Sequence, residues 1–579
     1  MSLAGDLGWR GISCMLLEQT DGAILQPKMD GVNVRTMEFC RRWGITGWVR
    51  DCGYPKEFPQ DMVYLTSFNG YELGREEFVT PSGGSEERLP GASPETRFRC
   101  PQNLFDPILR RYASSLEPVK LRYQTQLLDF TEHTDHVVST VKNPATGECA
   151  EVTSRYLIGC DGAASTVRKK LGIGMSGLGT LTYTTNILFT CPELRGCHRI
   201  RLGYRHIFIG PEGTWATVVA IDGRDEWRLS IIGGKERKDL TEADVRAAIE
   251  RVIGMPVKYE IKTIVPWVRR ELVADSYGAR RVFLAGDAAH VTSPTGGFGM
   301  NMGIADSIDL SWKIEAMLAG WSGAGLLESY EVERRPVAQR AVREASGNLL
   351  RTLSPGANPR LLEQSYEGAL LRYSVGARFS ATMLREWYKL GIDLGYIYRS
   401  GTVISDEPQV PAGHEHGSLP KKSEPQLQPP GGYLENGDRV TPSMLREWQR
   451  LSMHLSLGQD VKPDWQELPA HEVMLYRQTS QPGARAPHAW LSDWVSTLDW
   501  FGRGFVLVNS GDEDTSAIER AASSRGMPLT VQRCDLPDVK KLYAAPLVLV
   551  RPDGHVAWRG GAPASAKALE IIDRVRGAG

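Results

Sequence analysis

The first eighteen residues restrict the fold more than any other stretch. SLAGDLGWR (2–10) places Leu3, Ala4 and Leu7 on one helical face, and Gly8 and Gly11 close it. ISCMLL (12–17) follows as an apolar run that ends at Glu18. Helix, tight turn, buried strand and terminal acid form the second half of a dinucleotide-binding βαβ unit. In such units the acid accepts hydrogen bonds from an adenosine ribose about 20 residues after the first glycine of a GxGxxG loop. Counting back places that loop just ahead of Met1. The reading therefore expects a first strand and glycine loop upstream of the sequence as written. A start set too late explains this more simply than an inactive remnant does.

Two further strand-to-turn units follow. RYLIGCDGAASTVRKKLG (155–172) reads as a strand, an Asp-Gly turn and a helix capped by Ser165 or Thr166. RRVFLAGDAAHVTSPTGGFGMNMGIADSIDLSWKI (280–314) reads as a strand, the pair Gly286-Asp287, a Pro/Gly-rich loop and a long helix with Ile304, Ile308 and Trp312 on one face. Between them, residues 175–268 are rich in Thr, Val, Ile, Tyr and Trp and predict an antiparallel sheet. Residues 405–435 are dense in Pro, Gly and charge, as a linker would be. The last hundred residues return to an α/β pattern, with a Pro-Asp-Gly hairpin turn at 552–554. The string MLREW occurs at 383–387 and again at 444–448 without further repetition.

A chain of 579 residues predicts two to four domains. A net charge of -1 gives no field to gather nucleic acid or anionic lipid. No apolar run approaches the roughly 18 residues of a membrane span, and the start does not read as a signal peptide, so a cytoplasmic protein is expected. The nine cysteines are odd in number, scattered and without a CxxC pair. They read as free thiols, with neither a disulfide framework nor a metal site.

CDGAASTVR (160–168) resembles the DG motif of the class A flavoprotein aromatic hydroxylases. LAGDAAHVTSPTGGFGMNMGIADSIDLSWK (284–313) resembles their GD motif with its loop and helix, and KMDGVNVRTMEFCRRWG (28–44) the segment after their second strand. Segments 54–75 and 482–509 resemble the phenol, chlorophenol and hydroxybiphenyl branch. The resemblance covers roughly 1–345 and 475–579. It implies an α/β fold: a Rossmann-like FAD-binding domain of the glutathione-reductase type, an inserted antiparallel substrate domain, and a thioredoxin-like C-terminal domain. The boundaries expected are 1–174 and 269–400 for the FAD domain, 175–268 with part of 53–97 for the substrate domain, 401–474 for a linker, and 475–579 for the last domain. With Cys534 as its sole cysteine, that last domain has no dithiol chemistry and suits a structural or dimerising role.

The resemblance assigns FAD as cofactor and NADPH or NADH as co-substrate, with no second GxGxxG for the nicotinamide. Glu18 is expected to hold the adenosine ribose, and Arg35 and Gln102 the pyrophosphate and ribityl side. Asp161 is expected to order FAD and NAD(P)H, and Gly286-Asp287 to meet the ribityl chain. Gly296, Gly297 and Gly299 lead to Met300 and Asn301, whose helix N-terminus suits the flavin edge that becomes anionic on reduction. His290 reads as packed beside the turn. Asp30 is the expected base at the substrate hydroxyl, and the Pro294 carbonyl a second contact. Tyr204, Phe208, Trp215 and Arg228 are candidates to face the substrate ring.

The reaction implied is hydroxylation of a phenol by O2 through a flavin C4a-hydroperoxide. Forming phenolate at pH 7 costs roughly 4 kcal/mol, so Asp30 either has its pKa raised by burial or relays the proton to solvent. Epoxidation and Baeyer–Villiger oxidation are the alternatives on a related fold, since fold alone does not fix chemistry. The Trp-x-Trp-x-Ile-Pro signature of halogenases is absent.

Overall fold

The computed structural model describes residues 1–24, 26–78, 80, 91–405, 415–416 and 468–579. The opening helix spans Ser2–Trp9 and turns through Gly11, at φ +81°, into the strand Cys14–Leu17. Leu3, Ala4 and Leu7 are buried, as their spacing requires. Asp6, which reads as an interruption of the apolar run, is buried as well. Its carboxylate accepts hydrogen bonds from Arg10 (2.8 Å), Trp43 Nε1 (2.8 Å) and Ser311, and so ties the helix to two later segments.

Cys14–Leu17 runs parallel to Val119–Arg122, and Leu157–Gly159 runs parallel to Val282–Leu284. Parallel pairs joined through helices are the α/β pattern. The resemblance implies a Rossmann-like FAD-binding domain. Among the described residues the two pairs belong to separate sheets, because no strand hydrogen-bonds one to the other.

The large sheet has eight strands. Its order runs from His290–Val291 through Glu260–Ala274, Met175–Thr190, Glu226–Ile232, Gly213–Ala220, Arg205–Gly210 and Met62–Leu65 to Glu72–Glu76. The domain boundary set at 268 cuts a continuous strand, since Glu260–Ala274 holds its register against Met175–Thr190 as far as Ala274. The sheet is covered on both faces. Val245, Ile249 and Val252 of the Glu242–Ile253 helix pack against Phe208, Trp215 and Val218. Phe379, Met383 and Trp387 of the Tyr366–Trp387 helix pack against Tyr64, Ile207 and Val219 on the other side. That second helix lies so close to Glu72–Glu76 that a Cβ on Gly376 would fall 1.6 Å from the Leu73 carbonyl oxygen. Only glycine allows this approach, which sets where the helix C-terminus lands.

The C-terminal unit is a four-stranded sheet in the order Leu529–Arg533, Phe505–Asn509, Leu547–Val550, Val556–Gly560, with the first pair parallel and the others antiparallel. Phe505 meets Trp312 and Trp321 edge-on, so the long Gly299–Ala319 helix shares a core with this unit. The stretch read as a linker contains a short helix, Ala470–Met474. Most of that stretch, and the second MLREW string, lie outside the described residues. Among the described residues no helix is long and apolar enough to cross a membrane.

Candidate active site

A cavity of about 1390 Å³ lies between the large sheet, the C-terminal end of the Tyr366–Trp387 helix and the loop that enters Gly299–Ala319. Ligand pockets commonly hold about 300–1,000 Å³, so this space admits a cofactor and a second ring system together. The first MLREW string ends on its wall, where Glu386 and Trp387 line it.

Asp30 lies on the wall, with 18% of its side chain exposed. Tyr204 donates its hydroxyl to Asp30 Oδ2, and Arg228 Nη2 lies 3.4 Å from the carboxylate. The other oxygen, Oδ1, makes no hydrogen bond. Burial pushes the Asp30 carboxyl upward, but Arg228, the Tyr204 hydroxyl, Arg99 and Arg205 outweigh it and hold the group below its usual range. Of the two alternatives for Asp30, a pKa raised by burial and a relay of the proton to solvent, this direction favours the second, because cationic neighbours outweigh desolvation. Arg99 stacks on Tyr204 with its guanidinium carbon 3.2 Å from the ring centroid. Arg205 pairs with Glu386 at 2.7 Å, and Glu386 also accepts the Gly296 N–H at 3.1 Å. Lys389 donates to the Gly296 carbonyl. These two contacts brace the glycine loop from the helix side.

Pro294, Gly296, Gly297, Gly299, Met300 and Asn301 all line the cavity, as does Asp287. No side chain caps the Gly299–Ala319 helix, so its first-turn N–H groups open on the cavity with the positive end of the helix dipole behind them. Gly297 has φ +62° and no atom within 4 Å of where a Cβ would stand, so backbone can meet a flat ring there. Asn301 fastens this turn: its Oδ1 accepts from Asn33 N (3.0 Å) and Thr36 Oγ1 (2.7 Å), and its Nδ2 donates to the Gly297 carbonyl (2.9 Å). Open donors, a missing Cβ and the cavity's size fit an isoalloxazine ring. Gln102 also lines the cavity, holding Lys28 N at 2.9 Å.

Other residues of the sequence reading lie elsewhere. Arg35 does not reach this cavity: it pairs with Glu38 at 2.7 Å and donates to the Asp553 carbonyl at 2.8 Å, at the junction with the C-terminal unit. Asp161 Oδ2 accepts the N–H groups of Thr166 (2.7 Å) and Val167 (3.1 Å) at the start of the Thr166–Lys170 helix, and its Oδ1 accepts the hydroxyl of Ser165 (2.5 Å), the helix N-cap; the next residues, Gly162 and Ala163, line the cavity. Glu18 accepts from the backbone and hydroxyl of Thr20, each at 2.8 Å. Gly286 sits beneath the wall, its N–H given to Asp306 at 3.1 Å, and His290 gives its Nε2 contact to the same carboxylate at 2.7 Å. Phe208 and Trp215 belong to the opposite face of the sheet. Phe208 is one step out of phase with Ile207 and Ile209 of its strand. Trp215 is the extra residue where the register slips between Phe208↔Ala216 and Ile209↔Thr214, and such a bulge re-aims a side chain. Tyr204 and Arg228 remain on the wall. Arg99, Arg205, Arg269, Glu386 and Lys389 were not anticipated; they come from separate strands and from around the end of one helix, and no motif of known chemistry surrounds them.

A family model described as FAD binding domain matches residues 1–345, and one described as Aromatic-ring hydroxylase, C-terminal, matches residues 479–578. The chain belongs to the FAD-dependent aromatic-ring hydroxylases. It is 32% identical to a putative polyketide hydroxylase of Streptomyces coelicolor, over 96% of this chain and 91% of that one. It is 28% identical to 4-methyl-5-nitrocatechol 5-monooxygenase of a Burkholderia species, over 100% and 95%. Among solved structures it is similar to RebC soaked with chromopyrrolic acid and holding 7-carboxy-K252c: 34% identity, TM-score 0.82, covering 100% of this chain and 97% of that one. PieE in complex with FAD and substrate matches at 26% identity and TM-score 0.80, again over 100% and 97%. FAD is accordingly the cofactor, and the enzyme is a monooxygenase by family.

Proposed function

We propose that the enzyme hydroxylates a phenolic ring of a polycyclic aromatic substrate, drawing electrons from NADPH or NADH and oxygen from O2. The observation that carries this reading is Asp30 Oδ1, an acceptor without a hydrogen bond on the wall of a cavity that has room for a flavin and a further ring system. The cavity's size and the likeness to polyketide hydroxylases and to RebC favour a fused-ring substrate over a simple phenol.

FAD, when bound, supplies the activation of O2 and the transfer of one oxygen atom. The chain's own residues do the rest. Gly297 admits the ring, and the N–H groups of Met300 and Asn301 face its electron-rich edge. Asp287, Gln102 and the strand end at Glu18 are assigned to the remainder of the cofactor, whereas Arg35 and Asp161 are spent on structural contacts. Asp30 Oδ1 accepts the hydrogen bond of the substrate hydroxyl and fixes which ring carbon meets the oxygen donor, with the Pro294 carbonyl as a second contact. A carboxyl held below its usual range does not keep the phenol proton, so that proton passes to solvent. Arg228, Arg99 and Arg205 lower the cost of the phenolate left behind, which is roughly 4 kcal/mol for an unassisted phenol at pH 7. The phenolate makes the ortho and para carbons electron-rich. We read the C-terminal unit as thioredoxin-like from its strand order and, lacking a dithiol, as a structural brace.

The test compares a fused-ring phenol with its O-methyl ether in the FAD-loaded enzyme. The phenol is expected to accelerate NADPH or NADH oxidation and to gain the mass of one oxygen atom. Equal hydroxylation of the ether would sink the reading, because the ether has no proton for Asp30.

A further inference from the structure

Arg269 lines the cavity, is 4% exposed, and has two guanidinium nitrogens, Nε and Nη1, buried without a hydrogen-bond partner. Its placement is built. In the Glu260–Ala274 strand Arg270 pairs with Thr180 and Arg269 with Thr182, so Leu181 is an extra residue on the facing strand. Residues 266–270 all run along the cavity, so the strand carrying Arg269 passes beside it where the facing strand bulges.

The carboxylates nearby do not hydrogen-bond to it: Glu386 holds Arg205 and the Gly296 N–H through Oε1 and keeps Oε2 open, and Asp30 is held by Tyr204 and Arg228. Burial, and then the charge of Arg205, push the Arg269 guanidinium down to about 10, which still leaves it protonated at neutral pH. Along the whole wall lysine and arginine outnumber aspartate and glutamate. A buried guanidinium with free donors costs stability unless an anion meets it. Because Arg205 and Arg228 flank both Arg269 and Asp30, the missing anion belongs to the end of the cavity where the substrate hydroxyl is placed.

We propose that Arg269 anchors a carboxylate carried by the aromatic substrate, so that the substrate is a phenolic aromatic acid. This rests on reading the cavity as an aromatic-substrate site and narrows its chemistry. A carboxylate matches the planar donor fork of a guanidinium, which makes the anchor directional as well as charged. Arg269 sets the substrate's orientation from one side while Asp30 holds the hydroxyl from another.

The experiment measures equilibrium binding to the FAD-loaded enzyme by quenching of tryptophan fluorescence, since Trp267 and Trp387 line the cavity. The probes are a hydroxynaphthoic acid, its carboxamide, the parent naphthol, and acetate. The acid is expected to bind roughly ten- to a hundredfold more tightly than the amide, as a charge-assisted hydrogen-bonded pair does. In Arg269→Met that preference should collapse to near unity, and Arg269→Lys should keep part of it. A melting temperature for Arg269→Met no lower than wild type shows that the variant is folded. Equal affinity of acid and amide, a preference that survives in Arg269→Met, the absence of saturable binding by the acid, or a response to acetate as strong as to the acid would each overturn the assignment. Turnover is read separately. Naphthol hydroxylated without any preference for the acid removes the anchor and leaves the proposed reaction. Preferred binding of the acid without hydroxylation does the reverse.

Discussion

Two clusters of buried charge in this enzyme obey opposite rules. Where the C-terminal unit meets the Gly299–Ala319 and Gly325–Leu353 helices, Arg551 reaches Glu333 (2.6 and 2.8 Å), Asp309 (3.1 Å) and Asp553 (2.5 Å), and Lys313 bridges Asp309 and Glu333. Beside it Glu38 is held by Arg35, Arg485 and Ser93. Every carboxylate oxygen of Glu38, Asp309, Glu333 and Asp553 has a partner. Around the cavity, Glu386 Oε2 and Arg269 Nε and Nη1 have no hydrogen-bond partner, and Asp30 Oδ1 has only the 3.4 Å ion contact of Arg228. A closed network holds two parts of a chain together, and an open one is left for something to bind. Buried groups without partners are costly; Arg35 Nε and Arg551 Nε are open at the interface too, but there every carboxylate is satisfied, whereas on the cavity wall open carboxylate oxygens stand beside open donors, as a binding surface requires.

The sharpest break in this comparison is Arg551→Met. It leaves Asp309 and Glu333 with Lys313 as their remaining bonded cation and Asp553 with the His555 N–H, and removing one member of such a network costs about 3–5 kcal/mol. Urea titration should show that loss. Arg269→Met, of the same chemistry, should cost nothing or stabilise. Equal destabilisation by the two variants would erase the distinction between the clusters.

Acid should open the interface before the cavity loses its shape. Burial pushes Glu38 upward, but Arg485 and Arg35 outweigh it and hold the carboxyl down to about 2. A depressed native pKa gives stability that is fully present above the unfolded value near 4.5 and is lost as pH falls toward 2. That shift corresponds to roughly 3 kcal/mol. Glu38→Gln should flatten the fall in stability over this range. A variant whose acid unfolding tracks wild type would show that Glu38 does not govern it.

The difference between the clusters also explains what the sequence discloses. The turns at Asp161-Gly162 and Gly286-Asp287 and the loop into Gly299 are contiguous, and their glycines and acids signal the turn chemistry directly. The cavity's charged residues come singly from strands and a helix far apart in the chain. An arginine at 205 or 269 looks, in sequence, like any residue on a solvated strand face. Glu386 stood in plain view inside the MLREW string, but nothing local shows that the Tyr366–Trp387 helix ends on the cavity. Only tertiary packing, set by Gly376 against Leu73, places it there. The sheet is covered on both faces, so alternation could not say which of Tyr204, Phe208 and Trp215 faces the substrate.

Asp30→Asn tests the open cluster itself. It keeps the shape and removes the charge that receives the substrate hydroxyl. With little change in stability, turnover of a phenolic substrate should fall about a hundredfold, in the range of a lost proton-handling group. NADPH or NADH oxidation without product should become a larger share of the total, because a ring left un-ionised reacts poorly. Full activity in this variant would move the substrate contact elsewhere on the wall.

The smallest expected effect separates Asp30 from the residue that holds it. Burial pushes the Tyr204 phenol well above its usual pKa, so it remains a donor to Asp30 throughout the working range. In Tyr204→Phe the carboxylate keeps Arg228 but loses that donor, and its pKa rises toward the ordinary aspartate range. Activity that needs ionised Asp30 is present above that pKa and lost as pH falls through it. The acid limb of kcat/KM should therefore move to higher pH, while the rate at neutral pH changes only a fewfold. A lower rate with an unmoved limb would mean that Tyr204 packs against the substrate and does not tune the carboxylate. An unmoved limb with an unchanged rate would mean that the arginines alone set the charge of this site.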